Sequence, residues 1–152
     1  MTGDGFAGAG GSHELSAWID RLDAFVTALD AIDADDPYTF CTDAWDIWES
    51  AVISDPPSDT DPAMLLALGV IEVLADAVTA TGDDHRSTRE GAPTETLSGM
   101  HASLIDELHT VRRRCDRWRH GRLPSPAAVK AMSAAAMARL EVASTFGNRR
   151  SA

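Results

Sequence analysis

The chain has 152 residues, 44% of them hydrophobic, enough for one domain with one core and more than a disordered chain carries. The net charge of −11 divides unevenly. Residues 1–84 hold 18 acids against one base, Arg21 (−17), whereas residues 85–152 hold 6 acids against 12 bases (+6). Two packed halves that neutralise each other would give this pattern, and so would a basic half that meets a polyanion. Residues 1–11 lack the basic and apolar regions of a secretory signal, and the longest apolar run, 63–71, stops at Glu72, short of a bilayer's thickness. Cys41 and Cys115 stand far apart without metal-ligand neighbours, which argues against a disulfide framework and fits reduced thiols in a cytoplasm.

In chain order, residues 1–11 read as a disordered lead-in, residues 12–147 as one helical domain and residues 148–152 as a short basic tail. A first helix is expected over about 13–33, with Ser12 as its N-cap. Leu15, Trp18, Ile19, Leu22, Phe25, Val26, Leu29 and Ile32 recur on it at three- and four-residue steps, and Asp20, Asp23 and Asp30 lie opposite. A second helix over about 37–54 starts at Pro37 and places Tyr38, Cys41, Trp45, Trp48 and Val52 on one face. Residues 55–59 break the chain. Asp61 then caps a third helix with Pro62 in its first turn, apolar on most sides and therefore expected at the centre, with Gly82 as its stop. A polar loop follows to Pro93.

The fourth helix, about 94–120, has the cleanest period: Leu97, His101, Leu104, Leu108, Val111, Cys115 and Trp118 alternate four- and three-residue steps. After a short loop Ser125 caps a fifth helix, with a seam of Val129, Met132, Ala136, Leu140 and Ala143 and an end at Gly147. No segment alternates as a strand does. The fold expected is all-α, an antiparallel bundle of four to five helices around the third.

Several acidic groupings have spacings that could carry chemistry. Asp43, Asp46 and Glu49 follow i, i+3, i+6, and Glu72 and Asp76 lie one turn apart, but no Lys or Arg stands near them to hold phosphates; a solvated acidic face is the expectation. Asp106 and His109 make a carboxylate-x-x-His step without a matching partner on another helix, and His101 lies alone on its seam. No metal site and no cofactor are expected, and neither a phosphate-binding glycine loop nor a nucleophile motif is present.

The densest functional signal is residues 112–122, where Arg112, Arg113, Arg114, Arg117, Arg119 and Arg122 share eleven residues with His120 and one acid, Asp116. Cations at a helix C-terminus are favoured by the macrodipole alone. The same residues suit a polyanion, since arginine forks match phosphodiesters and a histidine near neutrality can move protons. Arg113, Arg117 and His120 (i, i+4, i+7) form a stripe opposite Cys115 and Trp118, which places the stripe towards solvent.

Arg114 to Gly121, with residues 123–126 and the alanine-rich helix after them, resembles the end of HEPN domains, about 35 residues of the chain. Arg114 and His120 match that family's arginine–histidine signature with five intervening residues, and Arg113 and His120 match it with six; its commonest spacing would put the arginine at Cys115, and Asp116 stands where it usually has Asn or another polar residue. The resemblance implies a helical bundle, often a homodimer. It also implies metal-independent RNA cleavage, or RNA or protein binding in degenerate members, in toxin–antitoxin or phage-defence settings. On it, Arg114 would hold the scissile phosphate, His120 would move the proton and Asp116 would orient the imidazole. Three functions stand as expectations: a cytoplasmic binding module that uses the Arg/His patch, with Arg112, Arg113, Arg117, Arg119 and Arg122 as nucleic-acid contacts; a HEPN-like ribonuclease; and a module that engages a partner protein through the acidic half.

Overall fold

The computed structural model describes the backbone of residues 3–87 and 96–151 and the side chains of residues 14–82 and 96–141. Every regular element among them is helical: α1 (Gly3–Ala28) with a 3-10 turn (Leu29–Ala31), α2 (Pro37–Ser54), α3 (Pro62–Ser87), α4 (Leu97–His120) and α5 (Pro126–Ser151). Short polar side chains start four of them. Asp36 accepts a hydrogen bond from Thr39 N (2.8 Å), Asp61 from Ala63 N (2.9 Å), Thr96 from Gly99 N (3.0 Å) and Ser125 from Ala128 N (3.1 Å). Proline follows three of these caps, where its missing N–H costs nothing.

The bounds of α1, α3, α4 and α5 differ from the sequence reading, most of all at the start of α1. The α1 backbone continues through Ser12 to Gly3, because adding a residue to an existing helix needs no new nucleus. Side chains before Glu14 lie outside the described residues. Gly82 does not stop α3, which runs on to Ser87; no described residue takes a positive φ, so the left-handed turn of a glycine stop is absent there. Likewise α5 passes Gly147 and takes in most of the expected tail, ending at Ser151.

The helices run alternately up and down. Arg21 in the second half of α1 meets Asp55 just past α2, His101 early in α4 lies 3.2 Å from Asp30 beyond the end of α1, and Arg112 further along α4 meets Asp23 further back on α1. α3 is the central helix and packs on all four others. By length and composition it could cross a bilayer (Pro62–Gly82, 21 residues, mean hydropathy 2.0). That corrects the reading of its apolar run as too short, since Glu72 and Asp76 interrupt the run without ending the apolar character. More than half of that stretch is covered by protein: Ala63, Leu66, Ala67, Val70 and Leu74 are fully buried.

The core is aromatic at the α1–α2 contact. Trp48 meets Trp18 edge-on (centroids 5.5 Å, 70°) and Phe25 at 5.1 Å, and its indole N–H donates to Ala67 O (3.1 Å) inside α3. The α4 seam is buried as its period requires, at Leu104, Leu108, Val111 and Cys115. Tyr38, expected on the buried face of α2, is 37% exposed, and Phe40 and Ala44 are buried instead. α5 packs on α3 and hardly on α4, through a small separate cluster of Met64, Leu68 and Ala136. Its buried row is Val129, Ser133 and Ala136; Met132, expected in it, is 47% exposed. Alanine on every side of α5 leaves little contrast from which to read a face.

Candidate nucleic-acid interface

Carboxylates divide the basic segment. Arg112 reaches across to α1 and grips Asp23 with two bonds, Nε to Oδ1 (2.6 Å) and Nη2 to Oδ2 (3.0 Å). The Arg112 bond holds the Asp23 carboxyl below its usual range despite partial burial. The third nitrogen of Arg112 donates to Asp116 Oδ2 (3.2 Å), and Arg119 Nη2 lies 2.9 Å from the other oxygen of Asp116. Two arginines therefore flank the carboxylate expected to orient His120, and no hydrogen bond or ion pair joins Asp116 to His120 among the described residues.

The remaining cations face outward. Arg113, Arg117, His120 and Arg122 are exposed, and no carboxylate pairs with Arg113, Arg117 or Arg122 among the described residues. Arg113 donates only to Thr110 Oγ1, one turn back (3.0 Å). Gly121 ends α4 tightly: a Cβ there would sit 3.0 Å from Arg117 O, so the chain can turn directly beneath this stripe. The outward stripe matches the sequence reading. That Arg112 and Arg119 are neutralised does not: Arg112 meets Asp23 of α1, eighty-nine residues away in the chain, and Arg119 pairs with Asp116 one turn back on α4.

Arg114 takes a third course. Its guanidinium carbon lies 5.9 Å from the Trp118 ring centre, and its Nη2 occupies the space that a Cβ on Gly69 of α3 would enter, 2.9 Å away. Six residues at about 100° each put His120 about 120° round the helix from Arg114. Within one copy of the chain, Arg114 thus faces the α3–α5 side and His120 faces solvent with Arg113 and Arg117. Cys115 points into the core, where burial pushes its thiol up to about 11, and Cys41 is raised to about 11 for the same reason; neither is a ready nucleophile.

Two of the acidic groupings have partners, one of them an arginine of α5 that the sequence reading did not place near Glu72. Glu49 accepts from the Trp45 indole (3.1 Å), Glu72 pairs with Arg139 (2.9 Å), and Asp106 and His109 are exposed. His101 packs edge-on against Phe40 at 5.2 Å. Comparison with protein-family models, with curated proteins and with solved structures finds no match to this chain.

Proposed function

We propose that this protein is a small helical binding module that engages a polyanion, single-stranded RNA above all, through the exposed stripe of Arg113, Arg117, His120 and Arg122. One observation carries the reading. Where acids of the first half come within reach, as at Arg112 and Arg139, they take the arginine; at this end of α4 the exposed Arg113, Arg117 and Arg122 keep no carboxylate among the described residues. Unpaired guanidinium forks on one exposed face suit phosphates, and the macrodipole at the end of α4 alone does not call for three of them.

The test is fluorescence anisotropy of labelled single-stranded RNA, in EDTA, over a range of salt. Each phosphate contact contributes about 0.7 to the logarithmic salt slope for single strands, so R113A, R117A and R122A together should flatten the slope by about two. Arg112→Ala should weaken the fold and leave the slope unchanged. No binding even at low salt would overturn the reading and favour a protein partner for the acidic half. EDTA-resistant cleavage abolished by His120→Ala would replace it with the ribonuclease reading, which then needs Arg114 and His120 from two copies of the chain.

A further inference from the structure

α4 and α5 are consecutive yet hardly touch, and the space between them is a groove of about 420 Å³ whose floor is α3. Leu65, Leu68 and Val73 on α3 and Val111 on α4 give it an apolar lining. Its charges are segregated along its length. Arg114 lies over Gly69 beside Trp118, and no carboxylate pairs with it among the described residues. Asp76 and Glu107 stand close together further on, with no cation between them among the described residues. Burial and the neighbouring carboxylates of Asp76 and Asp106 raise the pKa of Glu107. The two remaining charged residues of the lining, Glu72 and Arg139, pair with each other at 2.9 Å.

We propose that this groove is the docking site for an amphipathic helix of a partner protein that carries an acidic residue for Arg114 and, two turns away, a basic residue for Asp76 and Glu107. Spacing fixes the pattern. Gly69 and Asp76 are seven residues apart on α3, as are Glu107 and Arg114 on α4, which is about 10 Å along a helix. A partner helix laid between the walls meets both charges with residues i and i+7 and covers the floor with apolar residues between them. Charge complementarity of this kind selects the partner while the apolar floor supplies affinity. RNA does not fit the same groove, because Asp76 and Glu107 repel its phosphates. A second copy of the chain fits poorly: Asp106 and Arg113 on its α4 stand at i and i+7, but the residues between them on that face, His109 and Thr110, are polar and leave the apolar floor uncovered. The proposal does not rest on the polyanion reading, which uses other arginines.

Three lactam-bridged helical peptides of sixteen residues test it, identical in apolar positions and carrying Glu/Arg, Glu/Glu or Arg/Arg at i and i+7. Binding is read by shifts of the Val73, Val111 and Leu65 methyl resonances of the full chain. The Glu/Arg peptide should bind at least tenfold more tightly than either control. Arg114→Glu, an exposed change, should reverse that order and prefer Arg/Arg. Absence of methyl shifts with the Glu/Arg peptide, or equal affinity for all three, overturns the proposal. So does a dimer in sedimentation that Arg114→Glu dissociates, since the groove then belongs to a second copy. Shifts of these methyls by single-stranded RNA and not by peptide would also overturn it.

Discussion

Gly69 and Arg114 compete for one small volume. A glycine inside a helix is destabilising by about 1 kcal/mol relative to alanine, and the group that an added Cβ would meet is the far end of an exposed, movable side chain. Gly69→Ala should therefore stabilise the chain by up to about 1 kcal/mol in urea denaturation while displacing the guanidinium from the groove. A loss of stability would mean that Val111, 3.5 Å from the new Cβ, is the true obstacle. Asp61 gives a second prediction. Burial, with the neighbouring Glu14 carboxyl, raises its pKa to about 6 against the usual 3.8, although the Ala63 N–H works the other way. A raised acid is protonated longer in the folded state, so its contribution is complete below about pH 4 and is lost as pH rises through about 6. Asp61→Asn keeps the cap and should flatten that slope; an unchanged slope between pH 4 and 6 would assign it elsewhere. The cap at Asp61 was legible from the Asp-Pro start of the helix. Its carboxyl neighbour was not, because Glu14 lies on another helix.

Among the elements, helix identity followed periodicity wherever one face was apolar and the other charged. α2 was read to the residue, since Pro37 and the prolines after Ser54 punctuate both ends. α4 was read along its whole seam, because seven positions keep step. α5 was misread at Met132: alanine fits buried and exposed sites alike, so only packing against α3 picks out Ser133. The two α3 leucines set against different neighbours should respond differently. Leu66 is fully buried in the main cluster, and Leu66→Ala should cost about 2–5 kcal/mol, as should Leu108→Ala. Leu68 borders the groove, where water can reach the space left behind, and its truncation should cost less than either. Equal losses at Leu66 and Leu68 would mean that α5 closes over the groove in solution.

For the whole molecule, the uneven charge was visible in the sequence and its resolution was not. Arg112–Asp23 and Arg139–Glu72 join the two halves, which is the internal neutralisation that the charge division allowed. The arginines left over define the candidate interface, and only the three-dimensional pairing separates them from their neighbours in the run. Salt should therefore act in opposite directions on two measurements. With a net charge of −11 the chain repels itself, so raising salt from low values should raise the melting temperature modestly. The same change should weaken RNA binding. A melting temperature that falls with salt would show that the ion pairs between the halves outweigh the repulsion.

The solitary seat of α5 on α3 has a kinetic meaning. A helix seated mainly on one neighbour, through a small apolar cluster and the Arg139–Glu72 pair, can peel away without disturbing the aromatic core, so its amides should sample water more often than those of α3. In deuterium oxide the last helix should exchange first and as a unit, and a helix lodged between α4 and α5 would slow it. The last element of the chain would then serve as a latch, held shut by whatever fills the space beside it.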